Sequence, residues 1–142
     1  MATVLNPYLN FRDQTKPAME FYKIVFGGQL DMQTFQESHM SENPAENDRI
    51  MHAMLATDSG MTLMAADLPD RMPYTPGNNT FSISLSGDNE PELRGYYEKL
   101  AEDGAETMHL DKAPWGDIFG MVTDKFGISW LVNINASKIE AK

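Results

Sequence analysis

The sequence predicts an α+β fold of two βαβββ modules, forming a cupped, mostly antiparallel sheet with helices on the convex side. Two observations carry the prediction. A helix-like apolar stripe occurs twice, 75 residues apart. Each copy is preceded by one stretch that alternates with period two and followed by three more, so the chain reads as an internal duplication.

In the first module, "PYLNF" sets Leu9 and Phe11 against Tyr8 and Asn10, the pattern of a half-buried strand. "TKPAMEFYKIVFGG" follows, with Ala18, Phe21, Tyr22, Val25 and Phe26 at i, i+3, i+4, i+7 and i+8, the stripe of an amphipathic helix. Pro17 near its start and Gly27 and Gly28 past its end suit helix boundaries. Three strands are predicted next, "QLDMQTFQ", "RIMHAMLAT" and "MTLMAADL", the last two joined by the turn "DSG". The segment Glu37 to Asp48 is polar and acidic and is expected to be a mobile surface hairpin. Asp67 to Thr80 carries three prolines and a glycine and is expected to link the modules.

The second module repeats the plan. "FSISLSG" alternates Ile83 and Leu85 with Ser82, Ser84 and Ser86. "EPELRGYYEKLAEDG" places Leu93, Tyr96, Tyr97, Leu100 and Ala101 on one helical face, with Pro91 at its start and Gly104 beyond its end. The strands "ETMHL", "IFGMVT" and "ISWLVNI" complete the unit, with a "DKFG" turn before the last in which Asp124 and Gly127 are turn formers. Module one spans about 1–70 and module two about 78–135. Neither would cover its sheet alone, so residues 1–142 are expected to form a single domain.

The composition bounds the function. Eleven Lys and Arg against 21 Asp and Glu give a net charge of −10, which repels phosphate backbones and anionic lipid. Nucleic acid and membranes are therefore not expected partners. With no cysteine, disulfides, thiolate catalysis and thiolate zinc sites are excluded. The start of the chain lacks the pattern of a secretory signal, and no apolar run is long enough to span a bilayer, so a cytoplasmic location is expected. The triplets at Asn78 and Asn135 that resemble glycosylation acceptors are read as chance matches. Eleven methionines serve mainly as core filler.

The apolar alternates, Leu9, Phe11, Ile83, Leu85, Trp130 and Val132, suit the face that takes the helices. The opposite alternates, Tyr8, Asn10, Ser82, Ser84, Ser129, Leu131 and Asn133, are mixed and small-polar. A solvated sheet face would carry Lys and Glu there, so this set favours a concave face that holds a ligand.

The paired modules, together with "PYLNF…AMEFYKIVFGG", "IMHAML" and the block from "APWGD" to "DKFGISWLVN", resemble the vicinal oxygen chelate superfamily and its PhnB-like subgroup. That superfamily includes glyoxalase I, bleomycin-resistance proteins and extradiol dioxygenases. The resemblance implies a homodimer and, for its metal-dependent members, four inward ligands from the first and last strands of each module. By strand phase those positions fall near Asn6 or Tyr8, Met64, Ser82 and Leu131. None supplies the imidazole or carboxylate that a divalent cation requires, so no metal site of the family type and no cofactor is expected. A divalent metal held by other ligands is left open.

Among the histidines, His39 in the acidic segment is expected to be solvated and His109 to sit on an edge strand. His52 interrupts an apolar strand; it is read as structural, with a weaker role as acid–base group if it faces the concave side. In "APWGDIFG", Trp115, Asp117 and Phe119 could clamp a flat or cationic molecule, or Trp115 could serve an interface. The expected ligand-binding set is Tyr8, Asn10, His52, Met64, Ser82, Ser84, Trp115, Phe119, Leu131 and Asn133. The resulting expectation is binding of a small molecule. A metal-dependent lyase, isomerase or dioxygenase is one alternative, and a metal-independent enzyme using His52 or Tyr8 is another.

Overall fold

The computed structural model describes residues 3–39, 41, 43–76 and 80–135. Its elements run in the expected order: β1 (Tyr8–Phe11), α1 (Thr15–Phe26), β2 (Gln29–Thr34), β3 (Ile50–Ala56) and β4 (Thr62–Asp67), then β5 (Ile83–Gly87), α2 (Glu90–Ala101), β6 (Ala105–Lys112), β7 (Ile118–Thr123) and β8 (Ser129–Ile134). The two helices are the same length and begin 75 residues apart, as the duplicated stripe requires. The chain is α+β and divides into two compact units, with the boundary between Pro76 and Gly77.

Each unit holds a four-stranded mixed sheet, ordered β1-β4-β3-β2 in the first and β5-β8-β7-β6 in the second. The order follows from chain economy. A helix carries the chain from the first strand to the far edge, and two hairpins walk it back until the last strand lies parallel to the first. The other pairs are antiparallel.

In the first unit α1 covers one sheet face. Ala18, Met19, Tyr22 and Val25 are buried against it together with Leu9, Phe11, Ala53, Leu55, Leu63 and Ala65. In the second, Leu93, Tyr97 and Leu100 of α2 are buried with Val122, Trp130, Val132 and Ile134. Side chains of this size contribute about 1.5–3 kcal/mol each when fully buried. The expected assignment of faces therefore holds, although Ile83 and Leu85 are only half-buried.

Glycine 120 lies in the middle of β7, where it weakens a strand unless something needs the room. A Cβ there would stand 2.8 Å from Leu110 Cα and 3.0 Å from the Tyr97 ring. The missing side chain lets α2 and β6 close onto β7.

Two expectations need correction. Asp67 is not linker: it ends β4, is buried, and its Oδ1 accepts from Thr15 N (3.1 Å) and Thr15 Oγ1 (2.8 Å). Its Oδ2 accepts from Ile50 N at 2.9 Å. The carboxylate thus caps α1, whose preceding residue Gln14 provides no side-chain cap, and ties the helix to β3. Nor is Glu37–Asp48 a plain surface hairpin. It contains a short 3-10 turn, Pro44–Glu46, whose Glu46 is buried. Arg49 pairs with Glu46 (3.2 Å), Asp13 (2.6 Å) and Asp70 (2.8 Å), and Glu46 also accepts from Asp70 N. Met40 and Glu42 of that segment, and Gly77–Asn79 of the linker, lie outside the described residues.

Candidate functional site

Side chains directly opposite one another in a ladder point to the same face. The register of the first sheet therefore defines a cross-strand row on the face away from α1: Tyr8 opposite Met64, Met64 opposite Met54, and Met54 opposite Asp31. On the same face Gln33 lies opposite His52, and Asn10, two residues on from Tyr8, lies opposite Ala66. The structure thus brings Tyr8, Asn10, His52 and Met64 of the expected set onto one open face.

Tyr8 and His52 are joined. The Tyr8 hydroxyl lies 3.3 Å from His52 Nδ1, with ring centroids 5.9 Å apart. Burial raises the Tyr8 pKa above the usual phenol range, so the hydroxyl keeps its proton at neutral pH. The pair is a hydrogen-bonding group on this face, with His52 Nδ1 engaged by the Tyr8 hydroxyl.

The second sheet has its own open face. Ser84 is opposite Leu131, which is opposite Met121, and Ser86 is opposite Asn133, which is opposite Phe119. Ser82 meets Ser129 through their hydroxyls at 2.7 Å. At the end of this sheet Trp115 is largely exposed and meets Phe119 edge to face at 5.4 Å. Asp117 accepts from Asn133 Nδ2 at 3.1 Å. The loop residues Trp115 and Asp117 are therefore fixed to side chains of the open face.

Asp124, singled out in the sequence, is structural. Asp124 is buried; its Oδ1 accepts from Phe126 N and Ile128 N, and its Oδ2 accepts from the Trp130 indole at 2.9 Å. It forms the turn, as expected, and also anchors the indole. His39 is exposed. His109 is exposed on the edge strand β6, with Nδ1 3.3 Å from Glu106. The carboxylate of Glu106 also accepts from the buried Tyr97 at 2.6 Å. Burial, with that bond, pushes Tyr97 far up, and the same bond lowers Glu106.

The four positions at which metal-binding relatives place ligands can be tested on this geometry. Tyr8 and Met64 do face each other across the parallel pair. In the second sheet Leu131 faces Ser84, not Ser82. A protonated phenol, a thioether, a hydroxyl and an alkyl chain are not donors for a divalent cation, and this set does not fit one. Among the described residues no three His, Asp or Glu side chains are grouped to hold a metal.

Known proteins place the fold in a family. The model of the Glyoxalase/Bleomycin resistance protein/Dioxygenase superfamily matches residues 5–132. The chain belongs to this superfamily. Protein YjdN of Escherichia coli K12 is 28% identical to it, over 92% of this chain and 94% of that protein. The crystal structure of PA1353 from Pseudomonas aeruginosa is similar at TM-score 0.81 and 38% identity, covering 94% of this chain and 98% of that one. The PhnB protein from Bacillus cereus is similar at TM-score 0.71 and 26% identity, covering 94% and 100%. No helix among the described residues is long and apolar enough to cross a membrane.

Sequence reasoning missed Asp31, Gln33 and Met54 on the first open face and Met121 on the second. The signal was present. In "QLDMQT", Gln29, Asp31 and Gln33 alternate with Leu30, Met32 and Thr34, but only the register with β3 shows which set faces the helix.

Proposed function

We propose that this superfamily member binds a small organic molecule on the open faces of its sheets, through its own side chains and without a metal site of the family type. The observation that carries the reading is the Tyr8–His52 pair, a fixed polar group beside the thioethers of Met54 and Met64. A few placed polar groups on an otherwise soft, apolar surface are the usual make-up of a ligand site.

The reading is tested by screening a panel of small metabolites for thermal stabilisation of the protein, beside elemental analysis of the purified chain. Stabilisation by a compound in wild type, lost in His52→Ala with the fold intact by circular dichroism, supports it. A stoichiometric divalent metal, with a chelator lowering the melting temperature, overturns it. So does binding that survives at unchanged affinity in both His52→Ala and Tyr8→Phe.

A further inference from the structure

We infer that the open face of the first module takes an elongated, flat organic cation, its positive end against Asp31. The inference deepens the binding reading above and rests on it. Its basis is the row Tyr8, Met64, Met54, Asp31, which crosses all four strands in register. Neighbouring strands are about 4.8 Å apart, so the row spans about 14 Å, room for a planar tricyclic body with its charged substituent.

The row is graded in chemistry. One end is the Tyr8–His52 pair, a hydrogen-bonding terminus. Two thioethers fill the middle; they are polarizable and lie well against an aromatic ring. The other end is a carboxylate on the edge strand β2, flanked on the same face by the amides of Gln29 and Gln33.

Asp31 is exposed and makes no ion pair among the described residues. No Lys or Arg lies within the four strands of this sheet. The arginines that adjoin β1 and β3 in the chain are engaged elsewhere. Arg12 donates to the carbonyls of Pro69 and Met72 and lies over the Tyr74 ring, and Arg49 is held by Asp13, Glu46 and Asp70. An anionic ligand would meet Asp31 with no cation of the sheet to offset it. A cationic one supplies the missing partner.

The test uses two planar tricyclic probes of opposite charge, proflavine and anthracene-2-carboxylate, titrated by fluorescence anisotropy at low salt. Wild type is expected to bind proflavine at least about tenfold tighter than the anion. Asp31→Asn should weaken proflavine about fivefold, the upper scale of an exposed ion pair. Asp58→Asn, which removes the same charge from the β3–β4 turn, should change affinity less than twofold if charge acts locally. Met54→Ala should weaken proflavine while leaving its salt dependence unchanged. Equal losses in Asp31→Asn and Asp58→Asn overturn the inference, because they report only the overall negative field. Preference for the anion, with loss in Met54→Ala, also overturns it and leaves the binding reading standing. Indifference of both probes to Met54→Ala and Asp31→Asn overturns the inference, while the binding reading stands or falls by His52→Ala and Tyr8→Phe.

Discussion

Replacing Asp67 should unfold the first module more readily than any other single polar change in it. Three donors converge on this carboxylate: the amide and hydroxyl of Thr15 on Oδ1, and the amide of Ile50 on Oδ2. Asp67, Thr15 and Ile50 are each at most 4% exposed, so water cannot replace the lost acceptor. Hydrogen bonds to a charged group are worth about 1.5–3 kcal/mol each, and a buried donor left without an acceptor costs about 1–3 kcal/mol. Because the three bonds share one group they do not add, and Asp67→Ala is expected to cost about 3–5 kcal/mol. Asp67→Asn keeps one oxygen but turns an N–H toward one of the donors, for about 2 kcal/mol. Thr15→Val loses only the hydroxyl, for about 1 kcal/mol. The assay is urea denaturation followed by far-ultraviolet circular dichroism, since both tryptophans, Trp115 and Trp130, report on the second module. With an m-value of about 1–3 kcal/mol/M, the Asp67→Ala midpoint should fall by at least about 1 M. A midpoint within about 0.3 M of wild type would refute the assignment of Asp67 as the brace between α1 and β3.

Three further outcomes follow from the second module. Asp124→Ala removes the acceptor for two turn amides and the Trp130 indole, and should destabilise by about 3 kcal/mol and change the tryptophan fluorescence. Gly120→Ala should cost about 1–3 kcal/mol, read by the same denaturation, because its methyl meets Leu110 backbone and the Tyr97 ring. The Tyr97–Glu106 bond should give stability a pH signature at both ends. Glu106 is lowered in the folded state, so its contribution is complete above about pH 4.5 and is lost as pH falls through the lower folded value. Tyr97 is raised, so its contribution is complete below about pH 10 and is lost as pH rises toward the higher folded value. The stability gap between wild type and Tyr97→Phe should therefore narrow at both extremes in pH-dependent melting, and a gap constant from pH 3 to pH 11 would contradict the pairing.

The fold was legible because its signals are periodic and occur twice. Leu9 and Phe11, the helical stripes and Trp130 with Val132 each announce a buried face without reference to any other segment. What stayed hidden depends on partners distant in sequence. Asp67 adjoins the proline-rich linker, and only the approach of Thr15 and Ile50 makes it structural. Arg49 and Glu46 likewise turn an acidic segment into an anchored one through Asp13 and Asp70. The face of His52 could not be read from "IMHAML", because β3 departs from strict alternation where its register with β2 shifts between Gln33 and Thr34. Of the site, the residues of β1, β5 and β8 were legible from alternation, whereas Asp31 and Met54 needed the ladder.

Methionine methyls give the most direct view of the first open face. The chain carries 11 methionines, of which Met54 and Met64 lie in the row beside Tyr8. Carbon-13 methyl spectra of the labelled protein, assigned by Met54→Leu and Met64→Leu, should be recorded with and without the compound that most stabilises the wild type. The account predicts that the Met54 and Met64 signals shift and saturate together, and that His52→Ala abolishes both shifts. Shifts confined to other methionines, or undiminished in His52→Ala, would contradict binding at this face.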